Sequence, residues 1–430
     1  MLHKRFDIAV ILALALIVAA CSDGGAASSA PASAPASAPT STEPSVAPSA
    51  DGEADLVIWA DALRTAALQP LADEFGAANG VTVVVEEIAE NLVPTFLTAS
   101  QAGEAPDIII AAHDHVGNLV ANSAIDPIQL SDTSGFDPLA IQGMTFDGQL
   151  YGIPYSVENI ALFRNPELVP DAPATMEDLV AAGEALVESG DAENIMALQV
   201  GQTGDPYHIY PLFSSGGGAL FGLTPEGDPD PENVAVDSAG SIAAGELIQS
   251  IGETGSGALS TSIDGTNAIP LFFDGKAPFL VSGPWATGQI VEAGAPYDIS
   301  PIPPWADGSP AGPFIGVNGF YLASGGQNKA LAQEFATNFI TTEEVQVALY
   351  EAEPRRPALT AAVDAVKADD PDIEKFQAAS EGGTILPAIP EMGQVWTPFG
   401  IAEAAIVKGE DVTTSLEAAA QAIRDGIAGS

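Results

Sequence analysis

The sequence predicts an α/β fold in which helices flank mostly parallel sheets. Short apolar runs rich in β-branched residues, LVIW at 56–59, VTVVV at 81–85 and IIIAA at 108–112, alternate with segments of helical periodicity. The run at 108–112 is apolar at every position, which is typical of a strand buried on both faces. The chain from about residue 55 onward is long enough for two domains of this kind.

The first 54 residues predict a secretion signal and a tether. Lys4 and Arg5 precede an apolar run, and VAAC at 18–21 resembles the bacterial lipobox, in which the cysteine is lipidated. We expect a lipoprotein signal peptide over 1–21, lipidation at Cys21 and a location on the outer face of the cytoplasmic membrane. Cys21 is the only cysteine in the sequence, which excludes internal disulfides. Residues 22–54 are rich in Ser, Ala and Pro and predict a disordered linker.

The charge of the chain narrows the range of partners. The formal net charge is −46, from 58 acidic and 12 basic residues. A field of this sign repels nucleic acid and steers anionic ligands away from the protein. We therefore expect no nucleic-acid partner and disfavour an anionic substrate.

Polar residues follow two of the predicted strands, at the edge where open α/β sheets bind ligands. Arg64 follows the first strand closely, and Asp114 comes directly after the apolar run at 108–112. Its position at this edge makes Asp114 a candidate ligand-binding residue. Asp114 has an alternative role as the cap of a helix that begins near residue 116. A second alternative is a metal site formed by His113, Asp114 and His115, because residues 113 and 115 of an extended chain point to the same side.

Several helix starts are also indicated by the sequence. A strand at 277–281 runs into the turn Ser282-Gly283-Pro284-Trp285, and proline is favoured in the first turn of a helix because it lacks the N–H. This arrangement places Trp285 on a strand-to-helix turn that faces a cleft. The capping boxes Thr341…Glu344 and Thr414…Glu417 predict two further helix starts.

Six motifs together resemble those of the maltose/maltodextrin-binding proteins, which are family 1 extracellular solute-binding proteins of bacterial ABC sugar importers. In chain order they are PDIIIAAHD at 106–114, PYSVE at 154–158, DPYHIYP at 205–211, SGPWA at 282–286, PFIGV at 313–317, and ILPAIPEM at 385–392 followed by Trp396. The resemblance covers nearly the whole chain after the linker, with the motifs in the family's order.

The resemblance implies a two-lobed periplasmic-binding-protein fold of type II, with a sugar bound in the cleft between the lobes. It places one lobe at 55–157 plus 317–367 and the other at 158–316 plus 368–430. Aromatic rings stack on the flat C–H faces of a sugar, and charged groups form hydrogen bonds with its hydroxyls. The ligand-binding residues that the resemblance indicates are Arg64, Asp114, Glu158, Asp205, Tyr207, Trp285 and Trp396.

Two positions depart from the family's pattern. Ala111 stands where maltose binders typically carry tryptophan, and His115 stands where an arginine often follows the aspartate. We expect a maltose/maltodextrin-type or trehalose-type oligosaccharide, delivered to permease subunits by a monomeric receptor without cofactor, metal or catalysis. A glycoside-acting enzyme with paired carboxylates stays an alternative. The sequence contains no GxSxG, HExxH or phosphate-binding GxxxxGK[ST] motif.

Overall fold

The computed structural model describes residues 54–225 and 227–429. The predicted signal peptide at 1–21, Cys21 and all but the last residue of the predicted linker lie outside the described residues. Within the described ranges, no helix combines the length and the apolar character that a membrane span requires.

The described residues form strands and helices in alternation. The strands are β1 (Leu56–Ala60), β2 (Val83–Glu87), β3 (Ile108–Ala112), β4 (Ile125–Asp126), β5 (Thr145–Phe146), β6 (Gln149–Leu150), β7 (Gly152–Glu158), β8 (Ala161–Arg164), β9 (Ala197–Leu198), β10 (Phe221–Leu223), β11 (Pro229–Val234), β12 (Phe279–Ser282), β13 (Asp298–Ser300), β14 (Phe314–Ala323) and β15 (Thr384–Ile385). The helices are α1 (Ala62–Asn79), α2 (Leu92–Ala102), α3 (Val116–Ala121), α4 (Pro138–Gly143), α5 (Met176–Ser189), α6 (Pro206–Ser215), α7 (Ala239–Ser250), α8 (Ala268–Phe273), α9 (Thr287–Ala293), α10 (Lys329–Glu334), α11 (Glu343–Ala352), α12 (Thr360–Val366), α13 (Asp372–Ala379), α14 (Trp396–Lys408) and α15 (Val412–Gly429).

The larger sheet has seven strands in the described part of the chain. Its path is β15-β14-β3-β1-β2, and β4 and β7 also pair with β14. β1 lies parallel to β2 and β3, whereas β14 runs antiparallel to β3, β4 and β7 and parallel to β15. The predicted parallel character therefore holds for β2, β1 and β3, and β14 makes the sheet mixed.

β3 is covered on both faces, as its apolar run predicts. Ile108 and Ile110 lie in one core cluster, together with residues of β1 and α1. Ile109 and Ala111 lie in a second cluster, together with residues of α2 and β14. This division follows from the alternation of side chains along a strand. The carboxyl end of β3 is followed by a short 3-10 turn at His113–His115.

The smaller sheet has four strands in the order β13-β8-β12-β9. β8 runs antiparallel to β12 and β13, and β9 lies parallel to β12. Its two faces also belong to different cores, since Leu162 packs with residues of α6, α7 and α14 and Phe163 with residues of α8 and α9. Two sheets, each flanked by helices, confirm the α/β fold with two lobes.

β14 connects the two sheets' cores. All ten of its residues are buried. Phe314 lies in a core cluster of the smaller sheet, whereas Val317 and Phe320 lie in the clusters on opposite faces of the larger one. The predicted boundary between residues 316 and 317 falls within this strand. The lobe boundaries stay a prediction, and β15, which they assign to the second lobe, pairs with the first two residues of β14.

The ends of helices follow local side-chain caps, and some of these differ from the prediction. The Asp61 side chain accepts a hydrogen bond from Arg64 N and begins α1. Thr342, not Thr341, caps α11. The side chain of Asp411 accepts from Thr414 N at 2.8 Å, so α15 begins two residues before Thr414. Both predicted capping boxes are therefore wrong by a few residues.

The alternative role of Asp114 as a helix cap is also wrong. The 3-10 turn at His113–His115 leads directly into α3, and neither of these two elements has a side-chain cap. Asp114 instead lies in the turn itself, at the carboxyl end of β3.

Candidate functional site

Four aromatic side chains form a row that contains all three predicted aromatic platforms. The ring centroid of Tyr207 lies 6.4 Å from that of Trp285 and 6.3 Å from that of Phe314. The Phe314 centroid lies 6.3 Å from that of Trp396, and Tyr210 stacks on Phe314 at 3.7 Å. Tyr207, Trp285 and Trp396 are each partly buried. Phe314 is buried, so the three partly exposed rings are the ones that suit stacking against the C–H faces of sugars.

Trp285 is positioned by the turn that follows β12. Pro284 begins a 3-10 turn at Pro284–Ala286, which continues into α9. Gly283 precedes this turn, and a Cβ atom on it would lie 2.2 Å from Cζ3 of Trp285. A side chain at position 283 would therefore force the indole to move, because the indole folds back over the backbone there. The glycine of the SGPW motif is therefore explained by the space that the indole occupies in this turn.

Tyr207 is positioned by the start of α6. Asp205 caps this helix by accepting from His208 N at 3.1 Å, and it also accepts from Nε2 of Gln199. Burial acts to raise the pKa of Asp205, but its hydrogen bonds with His208 and Gln199 hold that pKa below its usual range. Asp205 is thus committed to the helix start and supports Tyr207 beside it.

Asp114 lies in the 3-10 turn after β3 and is partly buried. Burial raises the pKa of Tyr207 in the aromatic row, and the negative charges of Asp114 and Asp205 raise it further. Among the side chains and backbone groups of residues 54–225 and 227–429, no donor forms a hydrogen bond with the Asp114 carboxylate. This carboxylate therefore retains its full capacity to accept hydrogen bonds from a ligand.

Arg64 is held by groups around it. Its Nε donates to Tyr155 Oη at 2.7 Å, Nη2 donates to Asn318 Oδ1 at 2.7 Å, and Nη1 pairs with Asp61. Although burial opposes the charged form, Tyr155 and Asp61 raise the pKa of Arg64 above its ordinary value. Arg64 lies in the first turn of α1, just after β1, and most of its donors are already in use.

Glu158 lies at the end of β7 and forms an ion pair with Arg355 Nη1. Nε of Arg355 donates to Glu353 Oε1 at 2.6 Å. The Arg355 guanidinium carbon also lies 5.5 Å from the centroid of the Trp285 ring. Burial of Arg355 lowers its pKa to about 10. Glu158 and Trp285, two predicted site residues, are thus connected through an arginine.

The sequence analysis missed Arg355 as a site residue. The signal available for it was EPRRP at 353–357, two adjacent arginines between prolines in a chain with only 12 basic residues among 430. Phe314 was part of a quoted motif, yet its ring was not assigned to the row. The rings of the row belong to residues that are about 100 positions apart in the sequence. No local sequence pattern could therefore predict that these rings are in contact.

His113 is held through both of its ring nitrogens. Nδ1 accepts from Val317 N at 3.0 Å, so the proton lies on Nε2, which donates to the carbonyl oxygen of Leu386 at 2.8 Å. Burial lowers the pKa of His113. A metal would have to displace one of these bonds. In the described part of the chain no group of three or more His, Cys, Asp and Glu side chains is arranged to hold a metal ion.

A cavity of about 120 Å³ lies beside residues at the predicted boundaries between the lobes. Its lining includes Glu158, Ile315 and Asp370, and of the predicted site residues it contains Glu158. The cavity is therefore separate from the aromatic row, even though Pro284, the neighbour of Trp285, lines it as well. Tyr297 Oη donates to Asp372 at 2.7 Å and Tyr350 Oη donates to Asp370, so two tyrosines bind the segment that follows the predicted lobe boundary between residues 367 and 368.

Comparisons with known proteins identify the family and several relatives of the chain. Residues 70–375 match the family model of the bacterial extracellular solute-binding proteins. The galactooligosaccharide-binding protein of Bacillus subtilis (strain 168) is 28% identical over 392 residues, which cover 87% of this chain and 90% of that protein. The maltodextrin-binding protein MdxE of the same organism is 29% identical over 408 residues, with coverage of 92% and 91%.

A third relative carries a description of its attachment. The maltooligosaccharide ABC transporter solute-binding lipoprotein of Streptococcus pneumoniae (strain ATCC BAA-255 / R6) is 26% identical over 308 residues, which cover 70% of this chain and 71% of that protein.

Proposed function

The chain belongs to the bacterial extracellular solute-binding proteins, and from this premise we propose that it captures an oligosaccharide for an ABC importer. The observation that supports the proposal most is the aromatic row of Trp285, Tyr207, Phe314 and Trp396, together with the carboxylate of Asp114, whose charge acts on Tyr207. Rings supply the faces on which sugars stack, and a carboxylate without a donor accepts hydrogen bonds from two hydroxyls.

The ligand class follows from the row and from the relatives. Three relatives are named for galactooligosaccharides, maltodextrin and maltooligosaccharides, all of which are neutral chains of hexoses. A neutral ligand is also consistent with the net charge of −46, which steers anions away. We propose an oligosaccharide of the maltose/maltodextrin or trehalose type. Ala111 and His115 replace a ring and a cation of the maltose binders, so preference among these sugars differs from theirs.

The mechanism is capture by closure of the two lobes. Trp285, Tyr207 and Trp396 come from the proposed second lobe, and Asp114 and Arg64 come from the proposed first lobe. A sugar that touches both sets binds the closed state better and shifts the population toward it. The importer's permease subunits then engage the closed, loaded receptor, which acts as a monomer. No bond of the sugar is broken.

Calorimetry of residues 54–430 against a panel of disaccharides and oligosaccharides tests this proposal. The panel includes maltose, maltotriose, trehalose and a galactooligosaccharide, with chromatography of each sugar after incubation. We expect saturable binding of at least one of these sugars and its recovery unchanged. Absence of binding to all of them contradicts the proposed function, and cleavage products favour the glycoside-acting enzyme instead.

Attachment to the membrane is part of the proposal. VAAC at 18–21 and the description of one relative as a lipoprotein support lipidation at Cys21. We expect the full chain to fractionate with membranes when it is expressed in a bacterium that processes lipoproteins, and the Cys21→Ser variant to be recovered in the soluble or medium fraction. Equal membrane association of both proteins contradicts the lipid anchor.

A further inference from the structure

Arg355 covers a ring on which the proposed sugar has to stack. The guanidinium carbon lies 5.5 Å from the centroid of Trp285, within the range of a cation–π contact. The Arg355 side chain is only 8% exposed, so this contact is shielded from water. Tyr207 approaches the same indole with its ring centroid at 6.4 Å. Trp285 is therefore in contact with both Arg355 and Tyr207.

Arg355 is anchored independently of Trp285. Its Nη1 pairs with Glu158, and its Nε donates to Glu353 at 2.6 Å. The charge of Arg64, which pairs with Asp61, acts in turn on the carboxylate of Glu353. Charges of alternating sign thus run from the start of α1 to the Trp285 ring.

The two partners of the cation–π contact come from different parts of the chain. Arg355 and its carboxylate Glu353 lie between α11 and α12, in the proposed first lobe, whereas Trp285 lies after β12, in the proposed second lobe. Opening of the lobes therefore separates the guanidinium from the indole and leaves Arg355 with Glu353 of its own lobe, whereas Glu158 is the first residue of the proposed second lobe. Closure brings the indole back under an arginine that is already in place.

We propose that Arg355 competes with the sugar for the Trp285 ring. The guanidinium occupies the face of the indole, and a sugar ring stacks there only after it displaces Arg355. The proposal rests on the proposed function for its second half, the competition. Its first half, a direct contact between Arg355 and Trp285, stands on the geometry alone. The competition lowers the affinity for sugar, because the contact between Arg355 and Trp285 has to break before the sugar stacks.

The test compares the parent with Arg355→Met, which keeps much of the side-chain volume and removes the cation. Arg355→Lys retains the ion pair with Glu158 but lacks the planar guanidinium, and it serves if the first variant folds poorly. Arg356→Met is the matched control, since Arg356 has the same chemistry, pairs with Asp137 instead and lines the cavity at the predicted lobe boundaries. All four proteins are titrated with maltotriose by calorimetry.

A second measurement needs no sugar. Acrylamide quenching of tryptophan fluorescence is recorded for each protein and for the same protein carrying Trp285→Phe, and the difference reports the accessibility of Trp285. We expect Arg355→Met to expose Trp285 more than the parent does, and to bind maltotriose roughly fivefold tighter. Arg355→Lys should shift both readouts in the same direction by less, and Arg356→Met should shift neither.

The outcomes separate this proposal from the proposed function. Weaker maltotriose binding by Arg355→Met overturns the competition and makes Arg355 a direct sugar contact. Equal effects of Arg355→Met and Arg356→Met overturn it as well, since the effect is then a general one of the hinge region. If the parent does not bind maltotriose, maltotriose is excluded as the ligand. The quenching measurement then still tests the contact between Arg355 and Trp285. Unchanged protection of Trp285 in Arg355→Met and Arg355→Lys overturns the contact itself.

Discussion

Asp114 differs from the other charged candidates in the site because its carboxylate has no hydrogen-bond donor in the described part of the chain. Asp205 is committed to the start of α6, and Glu158 and Arg64 are paired with Arg355 and Asp61. A charged group that is already paired loses those bonds before it can bind a ligand, so its net contribution to binding is smaller. At the scale of single residues, we expect Asp114 to carry the largest polar contribution.

Asp114→Asn is predicted to weaken sugar binding by about 1–3 kcal/mol, because a charge-assisted acceptor becomes a neutral one and hydroxyls of the sugar lose a partner. The measurement is calorimetric titration with whichever panel sugar binds the parent. Asp132→Asn is the control, since Asp132 lies on the surface and accepts its hydrogen bond from the nearby Ser134. An affinity equal to that of the parent would remove Asp114 from the site.

Trp285→Ala and Trp396→Ala are each predicted to weaken binding by about 1–3 kcal/mol through lost stacking and apolar burial. Both rings are partly buried, so urea unfolding should show a smaller change than for a core residue. Trp59→Phe is the control, because Trp59 lies on β1 and donates to Glu86, away from the row. If both alanine variants bind as tightly as the parent, the aromatic row is not the sugar platform.

At the scale of elements, β3 and the turn after it were the most predictable part of the site. The run at 108–112 required burial on both faces, and the edge position of Asp114 followed from it. Helix starts were less predictable, because adjacent residues offered equivalent caps. Thr341 and Thr342 carry the same hydroxyl, and the choice of Thr342 depends on the path of the chain. Arg355 could not be assigned at all, since its role depends on distant Glu158 and Trp285.

His113 connects three elements, since it lies after β3, accepts from the backbone of β14 and donates to the carbonyl that follows β15. Burial lowers its pKa in the folded protein, so below about pH 6.5 the unfolded chain binds a proton that the folded protein does not. The stability that this histidine contributes is present above that pH and is lost as the pH falls below it.

At pH values below 6.5, the free energy of unfolding is predicted to decrease as the pH falls. This decrease should be steeper in the parent than in His113→Gln, by up to about 1.4 kcal/mol per pH unit. Urea unfolding of both proteins between pH 5 and 8 measures the difference. Parallel curves for the parent and His113→Gln would contradict the role of His113.

At the scale of the whole molecule, the resemblance in the sequence predicted two lobes, and the two sheets confirm them. The contacts between the lobes could not be predicted from the sequence. Phe314 lies at the start of β14 and takes part in the aromatic row, so the strand that joins the two cores also supports the proposed sugar platform. Closure and binding are therefore expected to be one event.

Small-angle scattering should show a smaller radius of gyration for residues 54–430 when the sugar identified by calorimetry is present at saturation. At the same sugar concentration Trp285→Ala should respond less, because its weaker binding leaves more molecules open. The Asp132→Asn protein should contract like the parent. A radius that does not change on saturation would mean that the sugar binds without movement of the lobes.

β14 has a further consequence for the order in which the molecule folds. β14 forms the central contacts of the larger sheet, yet it is synthesised long after β1, β3 and β7. Its Val317 forms a hydrogen bond with His113, which lies 204 residues earlier in the chain. Until β14 is available, β3 and β7 have unpaired edges and apolar faces without cover. Contacts of such separation slow folding and expose an intermediate to aggregation. The chain therefore depends on protection between synthesis and folding, and a substitution within 314–323 will reduce its yield more than its final stability suggests.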